Sequence, residues 1–543
     1  MFPIRLLFAL TALQWLVSAQ GNLPAPPAIR TGGIVNAASR MPPELPAGAI
    51  AQGSLFAIRV FRVGPKNGLK IRITNKAASL ETPLVSATDE EIEAVMPDNA
   101  PLGTAELTIL RNGKAGQPAP VRVVRSSFGI FSRDKLGWGS GEILNADGQP
   151  NTIAHAAAPG ERVTIFGAGL GAERSARPEI LVGGRRVIKI LQAAKIPARP
   201  GVDQIEFTLP ADTPEGCYIP LRLRVAEIVS NTVTVAVSRH TGGCREADHW
   251  IPPATSQPGA AALLAFVSAN LRLKLGPIGP SAFPMDAAYA SFEAGSPETG
   301  TNLFSLSPPA GTCTTYAGAW QVSSFLSPLK VLDLDSGHPL DAGPNILLQG
   351  PSESRTLMKS SKRLGRYSAF LGGVLPLPIR PPGPLFLTPG MYRITVPGGK
   401  DVGAFQISAE VPQPLTWTAP AQATAPAQPE AVDRAKGVTV EWRAANPADR
   451  VLIAAMNMDP HGGSTGVCLC AENAAAGSFV ILPDALANIP PTPAVPSPSA
   501  EPFSLMLIAE LSVQSQTPTP AVRGLGSVWL FVASVVGGPT IFH

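Results

Sequence analysis

Proline and glycine set the strongest limit on what this chain can fold into. The 543 residues include 58 prolines and 52 glycines, about a fifth of the chain, where roughly an eighth is usual. Proline breaks helices, and the charged residues that would solvate helix faces make up only 15% of the chain. Because 45% of the residues are hydrophobic, a disordered, charge-rich polymer is excluded too. The composition predicts a β-rich protein of several domains, not a helical bundle or a coiled coil.

Alternation of apolar and polar residues with a period of two predicts half-buried antiparallel strands. We expect such strands at 205–209, 219–225, 233–237, 392–396 and 438–442. The best candidate for a helix, 260–270, is ambiguous. The apolar stretch 526–536 is too short to span a bilayer and is interpreted as a final buried strand.

The first half of the chain contains an internal repeat. Residues 92–103 (IEAVMPDNAPLG) align with residues 205–216 (IEFTLPADTPEG), which lie 113 positions later. Each unit spans about 100 residues with about seven short strands, which suits an immunoglobulin-like sandwich.

Several ordered motifs in the same region resemble one family. They are GIVNAAS (33–39), SFGIF (127–131), ILNADGQPN (143–151), TIFGAGLG (164–171) and GVDQI (201–205). The chain resembles, over roughly residues 31–240, an uncharacterised secreted domain family that is abundant in acidobacterial (Solibacter-type) genomes. The resemblance implies tandem IPT/TIG immunoglobulin-like sandwiches with no assigned activity and no catalytic residues to transfer. Residues 61–64 depart from the turn typical of that family, so the first sandwich is expected to be irregular there.

The N-terminus predicts secretion. Arg5 is followed by an apolar stretch from Leu6 to Val17, and the small residue Ala19 marks a cleavage site. The predicted fold is all-β, with tandem immunoglobulin-like (IPT/TIG-like) sandwiches followed by one or two further β-sandwich domains. The predicted segments are a signal peptide (1–19), two sandwiches (31–130 and 131–245), a linker or irregular segment (246–299), a β-sandwich (300–415) and a β-sandwich with Pro-rich loops (416–543).

Five cysteines in a secreted chain allow two disulfides and leave one thiol. Cys217 and Cys244 flank one predicted hairpin and are the first choice for a pair. Cys468 and Cys470 are poorly placed to bridge each other, so one of them is expected to pair with Cys313.

Two groups of residues have the chemistry of metal ligands. His240, Cys244 and His249 are soft ligands, but their spacing matches no standard zinc module, and a disulfide would consume the thiolate of Cys244. Oxygen ligands in the segment 333–338 and at Asp341 suit calcium, although turns rich in Asp and Gly have the same composition. We therefore assign no metal and no cofactor from the sequence.

No motif identifies a catalytic residue. The spacing of the glycines in 167–171 is similar to that of a nucleotide-binding motif. These glycines follow a strand that leads into no helix, so a loop between strands is predicted. His461 and the segment 462–466 leave a Ser/His site open. Trp442 alternates with Val440 and is interpreted as core, whereas Trp138, between two glycines, is the candidate ligand contact.

These observations favour a secreted, non-enzymatic protein for extracellular adhesion, scaffolding or ligand and glycan binding. Its expected partner is an extracellular protein or polysaccharide. The low net charge of +4, with no basic run, excludes nucleic-acid binding. The alternative is an extracellular hydrolase with its catalytic site in the second half and the sandwiches as accessory modules.

Overall fold

The computed structural model describes residues 26–62, 68–76, 78–171, 177–240, 243–244, 259–275, 278–295, 308–318, 338–374, 383–420, 430–458, 465–492, 503–516 and 522–543. Strands dominate these ranges, so the predicted all-β fold is confirmed. The helical segments are single turns at Pro46–Gly48, Ala474–Ala476 and α1 (Pro483–Leu486). No helix in the described ranges has the length and apolar character needed to cross a membrane. The predicted signal peptide lies outside these ranges.

The first sandwich packs two sheets around an apolar core. Its strands are β1 (Ile29–Asn36), β2 (Ile50–Ala51), β3 (Leu55–Val60), β4 (Leu69–Thr74), β5 (Ser79–Thr82), β6 (Leu84–Ala87), β7 (Glu91–Val95), β8 (Gly103–Arg111), β9 (Lys114–Ala115) and β10 (Ala119–Val124). One sheet has the order β1-β3-β7-β6, and the other has β2-β10-β8-β4-β5 with β9 against β8. Phe56, Ile71 and Leu107 belong to the core between them.

The second sandwich repeats this arrangement. Its strands are β11 (Gly129–Ile130), β12 (Ile143–Leu144), β13 (Arg162–Ala168), β14 (Glu179–Val182), β15 (Arg185–Arg186), β16 (Ile190–Lys195), β17 (Asp203–Thr208), β18 (Gly216–Val225), β19 (Ile228–Val229) and β20 (Val233–Val237). In its first sheet, the order β11-β13-β17-β16 matches β1-β3-β7-β6, and β12 is an additional strand paired with β13. Ile92 and Ile205, which align in the sequence repeat, occupy the equivalent strands β7 and β17 of the two sheets.

The second half is built on one large sheet. The strands of the second half are β21 (Gly259–Leu275), β22 (Ile278–Gly295), β23 (Thr312–Gly318), β24 (His338–Pro339), β25 (Asn345–Gln349), β26 (Ser354–Lys359), β27 (Arg366–Gly373), β28 (Gly390–Val396), β29 (Phe405–Val411), β30 (Thr416–Ala419), β31 (Glu430–Val432), β32 (Val438–Arg443), β33 (Arg450–Met458), β34 (Thr465–Asn473), β35 (Ser478–Ile481), β36 (Phe503–Gln516) and β37 (Ser527–Phe542). The order in the large sheet is β23-β34-β33-β36-β37-β21-β22-β27-β26-β25-β28-β29, and β30-β32-β35 form a separate sheet.

Two sequence expectations for the second half need correction. Within the expected linker 246–299, β21 and β22 are long strands paired along almost their whole length, so 260–270 is strand and not helix. The large sheet also crosses the expected boundary at 415, because β21 pairs in parallel with β37. The second half has two apolar cores, one containing Leu264 and Ile394 and the other Ile453 and Val440, and neither is confined to one predicted segment. The apolar stretch 526–536 is a strand, as the sequence predicts.

The two N-terminal sandwiches meet through a buried asparagine. The Nδ2 of Asn36 donates to the carbonyl oxygens of Ser127 (3.1 Å) and Ala168 (2.9 Å) in the second sandwich. Its Oδ1 accepts the amide hydrogens of Ala38 and Ser39. All four partners are backbone groups, so the hydrogen bonds of this one side chain hold the backbones of the two sandwiches in a fixed arrangement.

The second sandwich is joined to the second half in the same way. Arg222 donates from its buried guanidinium to the carbonyl oxygen of Cys313 at 3.0 Å, and Arg224 pairs with Asp484 at α1. Asn488 Nδ2 donates to the carbonyl oxygen of Ser230 at 2.9 Å. Polar contacts of this kind need fixed geometry, so the described parts form a connected series of sandwiches.

Candidate functional site: a polar row across the large sheet

Four polar side chains line up across the inner face of the large sheet. Strand pairing places Glu510 on β36 beside Ser534 on β37, Ser534 beside Ser268 on β21, and Ser268 beside Asp286 on β22. Paired residues project to the same face of a sheet, so these four side chains form one continuous polar row.

The polar row lies on the side of the sheet that faces the two apolar cores. On each of these strands, one of the two residues that lie two positions away on the same face is apolar and buried: Ile508, Val532, Phe266 and Ala288. Asp286 and Glu510 are themselves buried, whereas Ser268 and Ser534 are half-buried. Burying a run of polar side chains between two apolar cores costs folding free energy unless each polar group has a hydrogen-bond or ionic partner.

Asp286 has partners for one carboxylate oxygen. Its Oδ2 accepts the amide hydrogens of Phe386 and Leu387, both at 2.7 Å, whereas its Oδ1 has no hydrogen-bond partner. Burial raises the pKa of Asp286, although the two amides and the Ser268 hydroxyl oppose this shift. The side chain therefore ties the segment before β28 to the sheet and keeps its proton to higher pH than an exposed aspartate.

We expect Asp286→Asn to change stability in a pH-dependent way. The folded state holds a proton that the unfolded chain releases above the ordinary pKa of 3.8, so the free energy of unfolding of the wild type falls as pH rises above that value. Asparagine keeps the oxygen acceptor and carries no charge. The variant should be about 1 kcal/mol more stable than the wild type at pH 8 and no more stable at pH 3, measured by urea unfolding. A variant less stable than the wild type at pH 8 would contradict this assignment.

Glu510 is the second buried acid of the row, and Asp449 stands next to it. Burial and the nearby Asp449 carboxylate raise the pKa of Glu510 to about 7, although the amides of Ala445 and Asn446 oppose the shift. Burial also raises the pKa of Asp449. These two acids lie in the second half, where the sequence leaves a catalytic site open, but no sequence motif marks either of them. The only signal was an acid at an inward position of an otherwise apolar strand (LMLIAEL, 505–511).

Trp138, the candidate ligand contact, takes part in an internal contact. Its ring is half-buried and meets the edge of the Tyr316 ring at a centroid distance of 5.7 Å. Since Tyr316 belongs to β23, this aromatic pair joins the second sandwich to the second half. A role of Trp138 in ligand binding stays a prediction. Trp442 is buried, as predicted, and its indole donates to the carbonyl oxygen of Ala474.

The cysteines pair as two disulfides. Cys217 is bonded to Cys244, the pair that the sequence selects, and Cys313 is bonded to Cys470. The strand register decides the second pair, because it sets Cys313 opposite Cys470 and Thr315 opposite Cys468. Cys468 is a buried thiol whose Sγ lies 3.7 Å from that of Cys470, and burial raises its pKa to about 11. Three sulfurs therefore lie together, but two of them are consumed by a disulfide.

The glycine-rich segment 167–171 lies at the end of β13: Gly167 is still part of the strand, and residues 169–171 follow it as irregular structure. Asp203 Oδ2 accepts the amide hydrogens of Gly169 and Leu170, both at 2.9 Å. Gly169 has φ of +114°, and a Cβ atom there would lie 2.1 Å from the carbonyl oxygen of Ser127. Only glycine fits this close approach of two loops.

The other candidate sites are only partly within the described residues. Cys244 is in a disulfide, and His249 lies outside the described ranges. Of the calcium-like segment, Asp341 is described, and its carboxylate pairs with Lys359 at 2.6 Å, which lowers the pKa of Asp341. The segment 333–337 and His461 lie outside the described ranges.

Comparisons with known proteins give no family assignment. No protein-family model matches the chain, and no curated protein matches it. Among solved structures, the Bacteroides ovatus mixed-linkage glucan utilization locus protein SGBP-B, in complex with a mixed-linkage heptasaccharide, is 13% identical over 85% of this chain and 97% of its own, with a TM-score of 0.14. Domains 5–6 of the S-layer protein SbsC are 12% identical over 40% of this chain and 100% of their own, with a TM-score of 0.19. The tandem Ig repeats of Dlar are 11% identical over 40% and 99%, with a TM-score of 0.13. TM-scores this low do not establish a shared arrangement.

Proposed function

We propose that this chain is a secreted, non-enzymatic adhesion or scaffold protein that binds an extracellular protein partner through its two N-terminal sandwiches. The supporting observation is a pair of equivalent exposed apolar residues, Val85 on β6 and Leu191 on β16. Both strands lie at the edge of their sheet among the described residues. Both side chains are 44% exposed.

The two positions share a local distortion. The pairing of β6 with β7 shifts register between Leu84 and Ser86, and the pairing of β16 with β17 shifts between Ile190 and Gln192. Val85 and Leu191 are therefore the extra residues of two equivalent bulges. A bulge turns a side chain away from its normal direction. Bulges that only protect an edge from pairing do not need an apolar residue there.

Further apolar residues extend each edge. Leu84 is exposed beside Val85, and Ile188, just before β16, is 96% exposed. Two equivalent apolar edges on a fixed pair of sandwiches suit a partner that is contacted twice, because linked contacts raise the overall affinity. Membership of residues 31–240 in the acidobacterial secreted family likewise remains a proposal.

Binding assays with edge variants test this function. The purified chain is incubated with an extracellular protein fraction and, separately, with insoluble cell-wall and plant polysaccharides. We expect protein binding that falls about tenfold in Val85→Lys/Leu191→Lys, since two charges replace two apolar contacts, with smaller losses in the single variants. Val480→Lys is the matched control, because Val480 is 52% exposed on the edge strand β35 of the small sheet.

Two outcomes would overturn the proposal. Equal binding by the edge variant and the control would remove the role of β6 and β16. Release of soluble sugar from the polysaccharides would instead favour the alternative, a hydrolase with its site in the second half, and would direct attention to the buried acids of the polar row.

A further inference from the structure

The end of the polar row at β36 holds two acids on one face. Arg450 pairs with Leu511, and Val451 pairs with Glu510. Asp449 precedes β33 by one residue and lies two positions before the inward-facing Val451, so it shares the face of Glu510. The two acids are diagonal neighbours on adjacent strands, a spacing within the reach of long side chains.

These acids carry three carboxylate oxygens without hydrogen-bond partners. Glu510 is only 1% exposed and Asp449 is 6% exposed, and no donor meets the distance and angle of a full hydrogen bond at either Glu510 oxygen or at Asp449 Oδ2. Its Oδ1 accepts from Asn446 Nδ2 at 2.8 Å. The Ser512 hydroxyl approaches Asp449, and the amides of Ala445 and Asn446 approach Glu510.

No cationic side chain among the described residues pairs with either acid. In the described part of the chain, neither acid forms an ion pair with a lysine, arginine or histidine; the ion pairs there involve other residues, such as Arg224 with Asp484. Two adjacent carboxylates that are buried without a counter-charge are costly, and proteins offset that cost with protons, cations or metal ions. The unpartnered oxygens therefore mark a place where a cation would be stabilised.

We propose that Asp449 and Glu510 form a binding site for a hard divalent cation, calcium, in the second half of the chain. Glu510 offers two oxygens and Asp449 one, and the Ser512 hydroxyl and water can complete the coordination. Calcium accepts six to eight oxygens in flexible geometry, whereas soft metals need the nitrogen or sulfur ligands that this group lacks. With few protein ligands, the affinity should resemble that of extracellular modules, with Kd of about 0.1–1 mM.

The site has a structural consequence. Asp449 ends the loop between β32 and β33, and Glu510 belongs to β36, so a shared cation would tie this loop to the central strands of the large sheet. The site is separate from the edges β6 and β16, so its test does not depend on the proposed binding function. It is also separate from the calcium-like segment around Asp341, whose carboxylate pairs with Lys359.

The test uses the full mature chain after treatment with EDTA and removal of the chelator. Calcium chloride is titrated by isothermal calorimetry at pH 7.5, and thermal unfolding is recorded with 0 and 5 mM calcium. We expect saturable binding and a rise in Tm with calcium. Glu510→Gln should weaken binding at least tenfold and abolish the rise in Tm. Asp333→Asn/Asp335→Asn, which removes the acids of the calcium-like segment, should bind as the wild type does.

Each outcome decides the proposal. Glu510→Gln is isosteric and removes a buried charge, so without calcium its Tm should equal or exceed that of the wild type. Asp449→Asn provides a second variant in case the first does not fold. Calcium binding that persists in both variants, binding lost only in the Asp333→Asn/Asp335→Asn control, or no binding by the wild type would each overturn the proposal.

Discussion

Replacing both cysteines of the Cys313–Cys470 disulfide with alanine should destabilise the second half by about 5 kcal/mol. The two residues are 157 positions apart in the sequence, and the entropy that a crosslink removes from the unfolded chain grows with the length of the loop it closes. The bonded pair also lies in the apolar core that contains Val440 and Ile453, so both cysteine side chains pack against apolar neighbours and have little contact with solvent. Urea unfolding with and without the two substitutions measures the difference.

The other disulfide is the matched comparison. Cys217 and Cys244 are only 27 positions apart, so their replacement should cost less, roughly 3.5 kcal/mol by the same relation. Cys468 provides an independent readout, since a buried thiol with its pKa raised to about 11 stays protonated and unreactive in the folded protein. Its alkylation should become faster in Cys313→Ala/Cys470→Ala. Equal losses for the two disulfides, or peptide mapping that links Cys313 to Cys468, would contradict this account.

Asn36→Ala should cost about 3–4 kcal/mol, because four buried backbone groups lose their partner at once. Two of these groups, the carbonyl oxygens of Ser127 and Ala168, belong to the second sandwich. The substitution should therefore weaken the junction as well as the first sandwich. Guanidinium unfolding of the fragment 26–244, which keeps the Cys217–Cys244 disulfide, would show this as a lower midpoint and a separation of one transition into two.

Asn75→Ala is the control for that experiment. Asn75 Oδ1 accepts the amide hydrogen of Ala78 within a local hairpin turn of the first sandwich. Its loss should cost less than about 1 kcal/mol, since solvent can replace a half-exposed partner. If Asn36→Ala costs no more than Asn75→Ala, the two sandwiches do not depend on each other in solution.

The two acids of the polar row show why the candidate site was beyond sequence reasoning. Alternation of residues such as Ile508 and Glu510 tells which side of a strand a side chain takes, but not which strand stands beside it. Asp286 and Glu510 are more than 200 positions apart in the sequence, and only the order β36-β37-β21-β22 brings them into one row. A local sequence pattern cannot predict that two strands so far apart in the chain pair in parallel.

The sequence by itself determined the all-β class, the repeat of two sandwiches and the Cys217–Cys244 pair, because proline, glycine and period-two alternation act over a few residues at a time. Tertiary structure decided what those local rules leave open. It placed 259–295 in the large sheet instead of a linker, set Cys313 opposite Cys470, and used Trp138 in an internal contact. The physical reason is that strand partners are chosen by burial of whole faces across the fold, so distant residues meet only once the sheet is assembled.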